Sequence, residues 1–264
     1  MSQSVAQRKK EGLPLGKPSF FLTGASGYLG RAIALQHAAA GAHLHLWGRD
    51  SQRLQSTADA VEAKGATVQQ TRLDLTDPVS AAQTIIAQDD EARFDVVYLI
   101  AGTGETRPTG ALVEDPEVIA RMAMVNYAAP AAMAAAVAAR MADRGRGSIV
   151  LIGSAAAHHS LPFAASYSGS KAGLARFADA LRLAVKPYGV SVTLAAPGFL
   201  DTPAHKKQNR PMELDVDEAA RRIVRAGERG AARYVTPLPF RLLRVIDALL
   251  PARLRDAVLS KLGP

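Results

Sequence analysis

The chain has 264 residues, a formal net charge of +8 and no cysteine. The missing cysteine excludes disulfides, thiolate catalysis and cysteine-ligated metals, while the length suits one α/β domain with a sizeable core. The basic balance attracts anions of many kinds, but its small clusters at residues 8–10, 206–207 and 221–222 come without zinc-finger spacing, an RNA-recognition signature or aromatic–basic interleaving, so nucleic acid is not expected as a partner.

Residues 1–18 are polar and basic and lack the apolar run of a secretory signal; they read as a flexible leader, and a cytoplasmic location is expected. Residues 19–22 are a short apolar run before a glycine-rich turn, hence a first strand. A helix over 28–40, a strand over 43–47, a helix over 51–64 and a strand over 67–73 follow. Pro78 is placed to open a helix that reaches about residue 88. Residues 95–100 form a continuous apolar run, as in a strand covered on both faces. A long helix over 116–143, kinked near Pro130, precedes a strand over 148–152, a helix over 163–185 and a strand over 191–195. The alanine-rich stretch 128–139 is too short to span a bilayer. Beyond Pro197 the pattern loosens into a lid-like segment over 200–217, a helix near 216–227 and a short strand over 233–235. This alternation predicts an α/β fold, a doubly wound parallel sheet of Rossmann type over residues 19–238, with a helical tail over 239–264.

Thr23-Gly24-Ala25-Ser26-Gly27-Tyr28-Leu29-Gly30 joins the first strand to the first helix. Glycines there let the backbone approach a pyrophosphate, and the helix start offers free N–H groups to it. The motif opens the first βαβ unit, the context in which it indicates a dinucleotide. The second strand ends Trp47-Gly48-Arg49, without the carboxylate that holds the ribose hydroxyls of NAD. Gly48 leaves room and Arg49 can fork onto a ribose phosphate, so NADP(H) is favoured over NAD(H); Asp50, one residue on, is an acid that could turn inward.

Tyr167-Ser168-Gly169-Ser170-Lys171 opens a later helix and sets Tyr167 and Lys171 four apart, on one face. A free phenol has a pKa of about 10, and a nearby ammonium lowers it toward use as an acid or base. Ser154 follows the strand over 148–152, at the carboxyl ends where ligands of such sheets sit. Asn126 lies inside a helix, where asparagine is not favoured, and with Pro130 it suggests a local break that exposes a backbone carbonyl. His158 and His159 lie near the mouth of this site and are solvated or touch substrate; His43 and His45 alternate with apolar residues and read as structural. No histidine–carboxylate spacing suggests a metal.

With these residues in order, the chain resembles the short-chain dehydrogenase/reductase family over roughly residues 18–235. The resemblance implies an oxidoreductase moving a hydride between NADP(H) and a carbonyl or alcohol, with a tetrad of Asn126, Ser154, Tyr167 and Lys171. Tyr167 would be the acid/base, Lys171 would lower its pKa and bind the nicotinamide ribose, Ser154 would orient the carbonyl, and Asn126 would help hold a relay water. The loop residues Gly24, Ser26, Gly27, Tyr28, Leu29 and Gly30 would carry the phosphates. Asp74 would meet the adenine, Leu75, Ala101 and Gly102 would also bind the cofactor, and Pro197, Gly198 and Thr202 would lie on the nicotinamide side. A small-molecule substrate and a homo-oligomer are the implied partners.

Two positions depart from the family's usual pattern. Gly27-Tyr28 stands where short members carry a serine or another residue followed by glycine, a spacing closer to the longer members that act on nucleotide sugars. Leu99-Ile100 stands where the family has Asn-Asn, which removes a sheet-supporting hydrogen bond. In the tail, Leu242, Leu243, Ile246, Leu249, Leu250 and Leu254 recur at helical spacing among arginines. That face packs on the domain or a partner subunit, walls an apolar substrate pocket, or makes peripheral contact with an anionic membrane. A sugar-nucleotide epimerase or dehydratase and a non-enzymatic cofactor sensor are the competing functions.

Overall fold

A computed structural model describes residues 17–202, 213–236 and 251–260. The apolar runs become strands β1 (Ser19–Thr23), β2 (His43–Gly48), β3 (Thr67–Arg72), β4 (Val96–Leu99), β5 (Gly147–Ile152) and β6 (Val190–Pro197). Two short strands, β7 (Leu200–Asp201) and β8 (Leu214–Asp215), pair with each other, and β9 (Arg233–Thr236) joins the main sheet. That sheet has seven parallel strands in the order β3-β2-β1-β4-β5-β6-β9. The order reverses between β1 and β4, the position at which open α/β sheets leave a crevice for ligands.

Side chains alternate across the sheet, so neighbours on one strand enter opposite cores. Phe21, Val97, Leu99, Ile149 and Leu151 face one side, and Leu22, Tyr98, Val150 and Ile152 the other. The first side is covered by α3 (Pro78–Ala92), α5 (Ala129–Asp143) and α6 (Ala165–Val185). The second is covered by α1 (Tyr28–His37), α2 (Ser51–Glu62) and α7 (Val216–Glu228). β3, which reads TVQQTR, sits at the edge and is largely exposed, as its polar sequence requires. His45 is buried against the ring of Phe94, which fits the structural reading of that strand histidine.

Aspartates start several helices. Asp77 accepts from Val79 N (3.1 Å) and Ser80 N (3.0 Å) with Pro78 at the first helical position, as expected from the sequence. This helix runs on to Ala92, past residue 88, and α1 stops at His37 rather than 40. Fully buried Asp89 holds the far end of α3 to α5, accepting from Arg144 Nη1 (2.6 Å), Arg140 Nε (3.0 Å) and Phe94 N (2.9 Å).

The long helix over 116–143 departs from expectation in kind. It is α4 (Pro116–Ala123), a π-helical turn over Met124–Ala128, and then α5. The break near Asn126 and Pro130 takes the form of one widened turn, with Ala129 N donating to Met124 O. By length and composition the run Pro116–Asp143 is long and apolar enough to cross a bilayer, but Met133, Ala134, Val137 and Met141 are buried against the sheet, so it is a core helix. Of the amphipathic tail, α8 (Ala252–Leu259) is described; the leucines and isoleucine at 242–250 lie outside the described residues.

Candidate active site

The glycine loop closes on itself. Gly27 N donates to Gly24 O (2.9 Å), and a Cβ on Gly30 would lie 2.1 Å from that same oxygen. Only glycine lets α1 start this close to β1. Gly27 occupies the cap position of α1 with no side-chain cap, and the first turn carries no acid. The helix start therefore offers its N–H groups and positive dipole end to an anion.

A cleft of about 590 Å³ opens over this loop, and Ser26, Tyr28, Leu29, Asp74, Leu75 and Ala101 all line it, together with Arg49 and Thr202. Thr23, the first residue of the loop motif, accepts on Oγ1 from Ile100 N (3.0 Å) and Ala101 N (3.1 Å), bonds that the motif alone does not show. That pair of bonds ties the end of β4 to the loop.

The strand end after β2 differs in detail from expectation. The space at Gly48 is not open room for a ribose phosphate: a Cβ there would meet Ser26 Oγ at 2.7 Å, so the glycine serves the loop. Asp50 lines the cleft as well, and its Oδ1 caps α2 by accepting from Arg53 N (3.0 Å). Arg49 lines the cleft and is joined there by Arg53, whose guanidinium lies 4.9 Å from the Tyr28 ring centroid. Arg53 was legible only as a second arginine four residues after Arg49, one turn into the helix.

The expected tetrad lies next to the cleft rather than in its lining, with Gly102 at the junction. A Cβ on Gly102 would be 3.1 Å from Asn126 Oδ1 and 3.3 Å from Lys171 Nζ, so those two groups converge on one point. Buried Asn126 spends its amide locally: Oδ1 accepts from Thr103 N (2.8 Å), while Nδ2 donates to Thr103 O (2.8 Å) and Ser170 Oγ (3.3 Å). Its main-chain oxygen loses the usual donor four residues on, because Pro130 has no N–H. Ser170 in turn donates to Tyr167 O (2.8 Å). Ser154 ends the β5 strand region and accepts from Ala156 N (3.2 Å), which leaves its own proton available for another oxygen. Pro197 and Gly198 stand outside the cleft lining: Pro197 ends β6, and Gly198 N donates to Thr236 O (2.7 Å).

Lys171 is 4 % exposed and its Nζ donates to Ile152 O (3.0 Å). Burial lowers its pKa from the ordinary 10.5 to about 8. The unfolded chain therefore holds a proton between about pH 8 and 10.5 that the folded chain has released. The sign follows: this group's contribution to stability is least favourable below pH 8 and improves as pH rises through that window. Lys171→Met should abolish the improvement. Chemical denaturation of both chains without cofactor at pH 7.5 and 10 checks it, and a parent-minus-variant difference independent of pH would contradict it.

The residues fit a dinucleotide. The glycine cradle leaves the space that a Cβ would fill, and the buried Thr202 Oγ1 at the cleft has no hydrogen-bond partner among the described residues. No cluster of histidine, aspartate or glutamate among the described residues could hold a metal.

Comparison with known proteins agrees with this geometry. The short chain dehydrogenase family model matches residues 19–213. An uncharacterized oxidoreductase of Myxococcus xanthus is 33 % identical over 244 residues, 91 % of this chain and 96 % of that one. Bovine 3-ketodihydrosphingosine reductase is 31 % identical over 76 % of this chain and 63 % of its own length. Among solved structures, a short-chain dehydrogenase from Sphingobium yanoikuyae in complex with NADPH has a TM-score of 0.77 at 27 % identity, covering 94 % of this chain and 96 % of that one. The bulky-bulky ketone specific alcohol dehydrogenase from Comamonas testosteroni has a TM-score of 0.76 at 27 % identity with the same coverage. The chain belongs to the short-chain dehydrogenase/reductase family and is a NAD(P)-dependent oxidoreductase.

Proposed function

We propose that this enzyme reduces bulky, apolar ketones with NADPH and that Tyr167 supplies the proton. The carrying observation is the buried Lys171, whose Nζ converges with the Asn126 side chain at Gly102, one helical turn from Tyr167. When bound, the nicotinamide would supply the hydride. Tyr167 would give its phenolic proton to the carbonyl oxygen, with the Lys171 ammonium favouring the phenolate left behind. Ser154, its hydrogen still available, would hold that oxygen in place. The main-chain oxygen of Asn126 would hold a water through which the proton returns to Lys171 and Tyr167.

Two features support the cofactor and substrate class. Arg49 and Arg53 both line the cleft beside β2; Asp50 lines it too, with its Oδ1 taken by the helix cap. Leu112 and Val113, 87 % and 71 % exposed, stand in the loop that is bonded to the start of α6 through Glu114, and would offer apolar surface to a substrate on that side. Relatives named for 3-ketodihydrosphingosine and for bulky ketones support this substrate class.

The test is oxidation of NADPH and NADH with cyclic, aryl and long-chain ketones, a sugar nucleotide and an acyl substrate. Turnover is expected with the ketones and NADPH. Removing a charged phosphate pair costs about 1.5–3 kcal/mol, so Arg49→Ala and Arg53→Ala should each narrow the NADPH preference by roughly tenfold or more. Tighter binding of NADH by the parent, or activity confined to sugar nucleotides, would overturn the reading.

A further inference from the structure

The loop between β4 and α4 is fastened at four points. Thr103 exchanges two hydrogen bonds with the Asn126 amide, both 2.8 Å. Glu105 accepts from Arg121 Nη2 with both oxygens, at 2.8 and 3.0 Å. Arg107 N donates to Phe163 O (2.8 Å). Glu114, 7 % exposed, accepts from Ser166 N on Oε2 (2.8 Å) and from Ser166 Oγ on Oε1 (2.6 Å). The first two ties reach the helical run that holds Asn126; the last two reach the start of α6, which carries Tyr167.

That helix has no cap of its own. Its cap residue, Ala164, offers no side-chain acceptor, and its first turn contains no acid. Glu114, 52 residues earlier in the chain, supplies both the acceptor and the negative charge that a helix start favours. Its neighbour Asp115 caps α4 through Glu117 N (2.8 Å). Two consecutive carboxylates thus fix the starts of two helices, one leading to Asn126 and one carrying Tyr167. Burying a carboxylate is costly, and a serine or aspartate at position 164 would cap α6 without it. What a local cap would not supply is the link between the two helices. Gly104 of the same loop also lies against the phenol ring, since a Cβ there would be 3.6 Å from Tyr167 Cε2.

We infer that Glu114 is a positioning residue for the reaction: by holding Ser166, it sets the Tyr167 phenol in register with the Asn126 side of the site. The inference rests on the reading of Tyr167 as proton donor, so the experiment carries Tyr167→Phe alongside. Steady-state kinetics are measured with NADPH and the most active ketone of the screen on Glu114→Ala, Glu114→Gln and Ser166→Ala, with NADPH affinity by fluorescence titration. Misplacing a reacting group by about an ångström costs up to roughly a hundredfold, so Glu114→Ala should lower kcat about tenfold to a hundredfold. Its ketone KM and NADPH Kd should stay within about twofold of the parent, a split that a general loss of structure does not give. Glu114→Gln, which keeps one acceptor oxygen, should recover much of kcat. Ser166→Ala should lower kcat a few-fold and add nothing to Glu114→Ala, because the two share one interaction. Parent-like kcat in Glu114→Ala beside an inactive Tyr167→Phe would overturn the inference, as would parallel loss of kcat and NADPH affinity. Should Glu114→Ala fail to fold, unchanged kcat in Ser166→Ala overturns it. Parent-like turnover in Tyr167→Phe would instead sink the reading beneath it.

Discussion

Tyr167→Phe should bind NADPH like the parent and turn ketones over about 10²–10⁴-fold more slowly, the usual contribution of a positioned acid or base. Phenylalanine keeps the ring against Gly104 and leaves the backbone bond from Ser170 Oγ to residue 167 in place, so the fold and the glycine cradle have no reason to change. What is lost is the hydroxyl alone. The measurements are NADPH titration by fluorescence and initial rates with ketone. A variant with turnover within a few-fold of the parent would remove Tyr167 from the chemistry.

The second large effect is expected at Gly30. In Gly30→Ala the new Cβ would meet the backbone of Gly24 at 2.1 Å (oxygen) and 2.7 Å (carbon), and Ala25 Cα at 2.9 Å. No side chain is there to swing away, so the loop or the start of α1 must shift. Charge-assisted hydrogen bonds contribute about 1.5–3 kcal/mol each, and losing two of them from the phosphates should weaken NADPH binding by at least roughly a hundredfold. Gly169→Ala is the contrasting case. It lies within α6 with nothing within 4 Å of the added carbon, so binding should be unchanged and stability raised by about 0.5–1 kcal/mol. Thermal unfolding and NADPH titration of both variants check the pair. NADPH binding within tenfold of the parent in Gly30→Ala would mean that the loop is not the phosphate cradle.

Much of this architecture was legible in the sequence because it is written locally. Apolar runs such as Val96–Leu99 fall in strands covered on both faces, and Asp-Pro pairs at 77–78 and 115–116 mark helix starts. The glycine loop, Tyr167, Lys171 and Ser154 were visible as spacings within single elements. The errors came where local pattern and tertiary contact compete. Gly48 looked like room for a ligand, but the space belongs to Ser26 from the neighbouring loop. Asp50 was legible as an acid beside the cleft, but not as the cap of the helix that begins there. The break near Asn126 was legible from Asn126 and Pro130, but its form was not, because a widened turn leaves no mark in a helical repeat. Glu114 gave no signal at all, since its partner is 52 residues away and nothing in the spacing of either residue points to the other.

The reversal of strand order has a further consequence, for folding. β1, β2 and β3 come from residues close together in the chain, whereas β1 meets β4 only by closing a loop of 76 residues, as in the bond from Ser19 N to Asp95 Oδ2 (3.0 Å). Such distant pairings form slowly, because loop-closure entropy is lost before the contacts are gained. The β1–β4 seam is thus the natural place for the sheet to part into a three-stranded and a four-stranded piece. The cleft lies across that seam, lined from one side by Ser26 and Arg49 and from the other by Ala101 and Val125. A dinucleotide spanning it acts as a clasp between the two pieces. At a concentration a hundred times its Kd, it adds about 2.7 kcal/mol to the free energy of unfolding. Limited proteolysis should therefore be slower with NADPH bound than without it.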